Sequence, residues 1–285
     1  MEQFAIVVDS TCDWALAEYE QKHVSMVPLQ VMMGDVSFAD LIDISSEGFY
    51  DYIASGAQSF GTSQPAPAAF SAAYEAIVAT GQTDILSLHI AATLSGTLDS
   101  AEMAARQCTA RVERLDAQGT TTTLGLLAQK ACELRDAGAT LDEAIALLSD
   151  YRGKILQFIS PDTTDHLLRG GRITAEQAQQ AMMLNIKIIF SFDDAGRLVV
   201  LDRVKGNRGI IKGYIERLRA YAEQYGPLRI RVLQARNREE AQRLVDALRE
   251  AGIDFELAAV DDCGATITTH LGLGVIGLAA VPLNA

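Results

Sequence analysis

The chain has 285 residues, 49% of them hydrophobic and 21% charged, with a formal net charge of −13. That length and apolar content suit one large domain or two modest ones with a sizeable core, and the acidic balance argues against nucleic acid, whose binders carry a basic face. No basic n-region with an apolar h-region follows Met1 and no apolar run is long enough to span a bilayer, so a cytoplasmic protein without integral membrane association is expected.

Phe4-Ala-Ile-Val-Val8 is a short continuous apolar run of the kind buried in a parallel sheet, and it leads into Asp9-Ser-Thr-Cys-Asp13, a cluster of cap-forming residues. Asp9 there either orients hydroxyls or a ligand, or serves as a cap or turn former. Met26 to Met33 reads as the next strand. Ser45 or Ser46 then opens an amphipathic helix through Ile53. Gly61-Thr-Ser-Gln-Pro-Ala-Pro67 precedes an Ala-rich helix to about Thr80, so Thr62 and Ser63 stand as an anion cradle at a helix start or as caps.

Asp84 to Ile90 has the apolar look of a buried strand and Thr97 to Gln107 winds as a helix, leaving Ala91 to Gly96 as the connection. In an open α/β sheet ligands collect beyond the carboxyl ends of strands. Ser95 offers a hydroxyl there and Gly96 lets a ligand approach the backbone, with helix capping by Ser95 or Thr97 as the other reading. Arg111 to Leu115 is a strand, Thr121 to Ala137 a helix, and Thr140-Leu-Asp-Glu143 a capping box opening another through Tyr151. Strands and helices alternate to this point, which implies a mainly parallel sheet.

After Ile155 the pattern changes. Ile155 to Ile159 is a strand, Leu167-Leu-Arg-Gly-Gly-Arg-Ile173 a Gly-hinged basic turn, and Thr174 with Gln177 a second capping box. Ile186 to Phe192 and Arg197 to Asp202, joined by Asp193-Asp-Ala-Gly196, form a β-hairpin. A helix (Gly209 to Tyr225), a strand (Leu228 to Gln234), a helix (Arg238 to Ala251) and a strand (Phe255 to Val260) follow. The tail holds a literal GxGxxG at Gly272, Gly274 and Gly277, with only eight residues after it. A dinucleotide fingerprint needs a preceding strand, a following helix and an acidic partner about 20 positions later, so these glycines instead permit close backbone approach beside His270. Cys12, Cys108, Cys132 and Cys263 lie far apart without CxxC or a Cys/His cluster, so neither a metal site nor disulfides are expected. Cys12 alone lies near a predicted helix start, where a thiolate can be stabilised; its other reading, and the stronger one, is a small filler residue.

Six stretches together resemble the DegV family of bacterial lipid-binding proteins. They are Asp9-Ser-Thr-Cys-Asp13, Thr62-Ser-Gln-Pro65, Leu94-Ser-Gly-Thr97, Leu168-Arg-Gly-Gly-Arg-Ile173, Leu184-Asn-Ile-Lys187 and Thr269-His270 with Gly272 and Gly274, in the family's order and approximate spacing. Cys12 and Ala66 replace the family's Ala and Ser, Ile188 and Leu273 stand where Pro is common, and Lys205 occupies a position resembling the family's Arg.

The resemblance implies a two-lobed α/β fold, with a parallel-sheet N-terminal domain over residues 1–154, a mixed-sheet C-terminal domain over 155–285, and a ligand tunnel between them. It implies a long-chain fatty acid as ligand, with no other cofactor and no metal. The carboxylate would be held by Thr62, Ser63, Ser95 and Gly96, with Thr269 and His270 in the same network. Burying about 14 methylenes at roughly 0.8 kcal/mol each gains on the order of 11 kcal/mol, against about 1.5–3 for a charged hydrogen bond, so the tunnel sets affinity and the hydroxyls set orientation. The implied role is a carrier without catalysis of its own, presenting the acid to a separate ATP-dependent fatty-acid kinase. Arg169, Arg172 and Lys205 are then candidates for the partner-facing surface. The alternative is a phosphotransfer domain resembling the substrate-binding part of dihydroxyacetone kinases, acting on a small hydroxy-carbonyl compound with His270 as nucleophile or general acid/base. A partner-binding regulator without a ligand is the third reading.

Overall fold

In the computed structural model, which describes residues 3–57, 59–179 and 186–285, the alternating elements of the first half build one parallel sheet. Its strands β1 (Ala5–Asp9), β2 (Val24–Val27), β6 (Asp84–His89) and β7 (Arg111–Asp116) lie in the order β2-β1-β6-β7, every neighbouring pair parallel. Successive side chains point to opposite faces of a strand, and both faces here are covered. Val7 and Ile85 pack under α3 (Pro67–Val78) and α4 (Thr97–Ala105), while Ile6, Val8, Leu86 and Leu88 pack against α5 (Thr122–Asp136) and α6 (Leu141–Gly153). The capping box at Thr140 and Glu143 is formed.

Met26 to Met33 is not one strand. β2 ends at Val27, and β3 (Gln30–Met33) leaves for a separate antiparallel sheet of order β4-β3-β5, with β4 (Val36–Ala39) and β5 (Phe60–Ser63). Pro28 has no amide hydrogen to continue the parallel ladder, so the chain turns away there. Gly34, at φ +61°, helps close the β3–β4 hairpin. Thr62 and Ser63 therefore belong to a strand rather than to a helix start, and Ala66 precedes α3 without a side-chain cap. The remaining early helices are α1 (Leu16–Gln21) and α2 (Ser46–Ala54), the latter capped by Ser45.

The second half forms a six-stranded mixed sheet of order β10-β9-β8-β13-β11-β12, from β8 (Leu156–Ser160), β9 (Ile186–Phe192), β10 (Leu198–Lys205), β11 (Leu228–Gln234), β12 (Phe255–Asp262) and β13 (Ile276–Pro282). Only β11 and β12 run parallel. Helices α7 (Asp165–Arg169) and α8 (Ala175–Gln179) precede β9, and α9 (Gly206–Tyr225) and α10 (Arg238–Glu250) cover one sheet face. The tail supplies α11 (Ala265–Leu271) and the central, fully buried β13. Its GxGxxG thus leads from a helix end into a strand, the reverse of a dinucleotide loop. In the Leu184-Asn-Ile-Lys187 stretch, Leu184 and Asn185 lie outside the described residues.

Two buried polar assemblies tie these layers together. At the carboxyl end of β1, Asp9 Oδ2 accepts from the Ile90 amide at 2.9 Å and stands 3.1 Å from His89 Nδ1; His89 Nε2 lies 2.6 Å from Ser87 Oγ, which lies 2.8 Å from the Tyr74 hydroxyl. Arg231 on β11 donates to Asp261 at 2.9 Å and to Glu18 at 3.2 Å, with its guanidinium 5.4 Å from the Trp14 ring centroid, joining the mixed sheet to α1. Asp9→Ala strips the acceptor from His89, the Ile90 amide and Thr11 at once. We expect a loss of about 3–5 kcal/mol, read as a lower denaturant midpoint at unchanged m-value; a shift below about 1 kcal/mol would contradict the assigned role.

Candidate functional site

The carboxyl ends of the parallel strands face the six-stranded sheet across a cavity of about 50 Å3. Its apolar lining includes Ile90 and Leu94 from the first half and Ile159, Leu167, Phe192 and Leu198 from the second. Thr62, Ser95, Arg172 and His270 also line it.

Thr62 reaches the cavity because β5 pairs with β3 and turns Thr62 toward α11. The opposite strand face carries Ser63, which is exposed. On α11, Thr266, Ile267, His270 and Leu271 share the cavity-facing side. Thr269 lies about 100° further round the helix, where its hydroxyl donates to the Ala265 carbonyl at 2.9 Å. His270 Nε2 sits 2.9 Å from Thr62 Oγ1. Its Nδ1 is buried and has no partner among the described residues, against the backbone of Gly170, where a Cβ would stand 2.3 Å from it. Any other residue at 170 would displace the ring.

Burial, aided by Arg172, His166 and Arg169, pushes the His270 pKa down to about 3, so the ring is neutral near pH 7. A buried unpaired N–H is rarer than an unpaired acceptor, which puts the ring proton on Nε2 and leaves Nδ1 as the bare lone pair. His270 then donates to Thr62 Oγ1, and the Thr62 hydrogen is left to donate into the cavity.

Ser95 stands beside Thr97 with its Oγ 2.9 Å from Thr97 Oγ1, and the N-cap of α4 is Gly96 without a side-chain cap bond, so neither hydroxyl caps the helix. Gly96 faces Gln64 and not the cavity: a Cβ there would meet Gln64 Oε1 at 2.1 Å. Gln64 Nε2 in turn donates to Ser100 Oγ at 2.9 Å, binding the Thr62 strand to α4. Arg172 donates to the Gly170 carbonyl and, at 3.1 Å, to the Leu94 carbonyl. Among the described residues it meets no carboxylate, and its half-buried guanidinium is the cationic group of the lining.

The structure therefore brings Thr62, Ser95 and His270 together and adds Arg172, which sequence reasoning places on a surface; Ser63, Gly96 and Thr269 fall outside the lining. Arg169 is exposed, stacked 4.3 Å over the Phe60 ring, and Lys205 is exposed at the end of β10. The signal for Arg172 was its place after Gly170-Gly171, a turn tight enough to fold the side chain inward. Among the described residues no group of three His, Cys, Asp or Glu could hold a metal ion, and no helix is long and apolar enough to cross a membrane. Two hydroxyl donors and an uncompensated guanidinium beside an apolar cavity suit one carboxylate on an apolar body.

A family model described as "Uncharacterised protein, DegV family" matches residues 3–283. A DegV domain-containing protein of Deinococcus radiodurans is 33% identical over 282 residues, 99% of this chain and 99% of its own length. Among solved structures, one described as fatty acid binding of a DegV family protein from Thermus thermophilus is similar at a TM-score of 0.92 and 30% identity, covering 99% of this chain and 100% of that one. Another, DegV of Bacillus subtilis, described as a fatty acid binding protein, reaches 0.88 at 27% identity, covering 99% of each.

The folded His270 pKa lies below the ordinary value of 6.5, so the unfolded chain takes up that proton first as pH falls. The stability this residue contributes is complete above about pH 6.5 and declines below it, by on the order of 1–2 kcal/mol between pH 6.5 and 5. Denaturant midpoints across that window should fall less steeply in His270→Gln than in wild type; equal slopes would contradict a buried neutral imidazole.

Proposed function

The chain belongs to the DegV family, and on that premise we propose that it binds a long-chain fatty acid between two lobes, residues 1–154 and 155–285, and presents the carboxylate to a separate ATP-dependent fatty-acid kinase. The observation that carries this reading is the pairing of an apolar cavity with Thr62, Ser95, Arg172 and His270. The fatty acid binding attributed to the Thermus thermophilus and Bacillus subtilis relatives supports the ligand class.

In this reading Thr62 and Ser95 donate their hydroxyl hydrogens to the carboxylate, Arg172 supplies the countercharge, and His270 orients the Thr62 hydroxyl. The cavity of about 50 Å3 has room for only a few waters. An acyl chain therefore enters by moving lining side chains, and the partly buried Leu94, Phe192 and Leu198 are the ones with space to give. The exposed Arg169 and Lys205, with Arg172, are the residues offered to the kinase. The chain's own groups bind and orient; phosphoryl transfer belongs to the partner.

Calorimetric titration with palmitate tests the site. Thr62→Ala and Ser95→Ala should each weaken binding by about 10-fold or more, the value of a hydrogen bond to a charged group, with the fold intact. Unchanged affinity in both single variants and in the double variant would remove these hydroxyls from the site. With a fatty-acid kinase and ATP added, His270→Ala should lose more acyl-phosphate formation than palmitate binding, whereas equal losses would confine His270 to binding. Binding of dihydroxyacetone in place of palmitate would favour the phosphotransfer alternative.

A further inference from the structure

The Asp9–Asp13 stretch ends on a carboxylate that the proposed fatty-acid site does not use. Asp13 sits in the left-handed region at φ +56°, a conformation Asp tolerates, and its carboxylate crosses to the start of α11. There Asp13 Oδ1 accepts the Gly264 N–H at 3.1 Å, and Asp40, from the segment after β4, accepts the Ala265 N–H at 3.1 Å. Ser10 donates to the second oxygen of Asp40 at 2.9 Å and accepts the amide of Leu29, a cavity-lining residue, at 3.1 Å.

Both carboxylates are buried, and their partners among the described residues are N–H and O–H donors, not cations. Asp13 Oδ2 has no hydrogen-bond partner among the described residues. Burial raises both carboxyl pKa values. Placing two such groups in the interior is costly. Gly264 is required for the approach, since a Cβ would stand 2.6 Å from Asp13 Oδ1. Two acceptors on two consecutive amides fix both the axial position and the rotation of a short helix, and α11 carries His270 in its last turn.

We propose that Asp13 and Asp40 are positioning residues for carboxylate recognition: by clamping the first turn of α11 from the N-terminal half of the chain, they hold His270 Nε2 against the Thr62 hydroxyl. The ligand consequence rests on the fatty-acid reading; the geometric consequence for His270 does not.

The experiment has two arms, on Asp13→Ala, Asp40→Ala and the matching Asn variants, whose amide oxygen still accepts an N–H. In the first, without ligand, 15N-histidine NMR should show His270 protonated at Nε2 in wild type, a mixture of tautomers in the Ala variants, and recovery in the Asn variants. In the second, the affinity ratio of palmitate to methyl palmitate should fall about fivefold or more in the Ala variants, the worth of one neutral hydrogen bond, with methyl palmitate affinity held to about twofold. Ala variants that keep the wild-type tautomer and ratio, or that lose acid and ester affinity equally, would overturn the assignment. Should the Ala variants not fold, Ser10→Ala, which frees one oxygen of Asp40, should move both readouts in the same direction, and no movement would overturn it. A wild-type protein that binds no palmitate sinks the fatty-acid reading, while the tautomer arm still decides the clamp.

Discussion

The contact between Thr62 and His270, 208 residues apart in sequence and 2.9 Å apart in space, is the interaction on which the site depends. It joins the small antiparallel sheet to a helix formed by the tail, and the imidazole that makes it is neutral. Removal from water ensures that: a buried imidazolium would lack compensation, and the neighbouring Arg172, His166 and Arg169 all disfavour it. A neutral ring with one nitrogen against the Gly170 backbone has a single productive orientation, in which it serves the Thr62 hydroxyl.

Around that contact the fold separates affinity from orientation. The parallel sheet delivers strand ends and loops carrying Ser95 and Leu94, and the mixed sheet delivers Ile159, Phe192 and Leu198, so the cavity wall is apolar from both sides. Apolar burial scales with chain length at roughly 0.8 kcal/mol per methylene, whereas each head-group hydrogen bond adds a fixed increment of about 1.5–3 kcal/mol. On the fatty-acid reading, Thr62, Ser95 and Arg172 decide which end of the ligand lies where, and the apolar wall decides how tightly it is held. Arg231, bonded to Asp261 and Glu18 and lying over Trp14, keeps the mixed sheet and α1 in register, so the two walls meet as one surface.

Much of this was legible in the sequence because the first half obeys local rules. Continuous apolar runs such as Phe4 to Val8 can only be buried parallel strands once helices alternate with them, and capping boxes such as Thr140 with Glu143 mark helix starts through local hydrogen bonds. The misreadings lie where a tertiary partner decides the structure. Val31 to Ser37 carried a hairpin signal at Gly34, yet the run from Met26 was continuous enough to mask the break at Pro28. Nothing local to Thr62 and Ser63 announces their pairing with β3, so in sequence they belong to the helix that follows. For Ser63, strand alternation sends the side chain outward; for Thr269, helix rotation turns the buried side chain away from the cavity; and Gly96 is small to admit Gln64, a neighbour invisible in one dimension. Arg172 was the opposite case, a charged residue in a Gly-rich turn that folds inward to face an apolar space.

The measurement that bears most directly on this account is mass spectrometry of lipid extracted from gently purified protein, paired with native mass spectrometry to count ligands per chain. The account predicts one long-chain fatty acid per chain, released on denaturation and retained far less by the Thr62→Ala, Ser95→Ala double variant. Protein that yields no lipid, and that takes up none when offered palmitate or oleate, would contradict it.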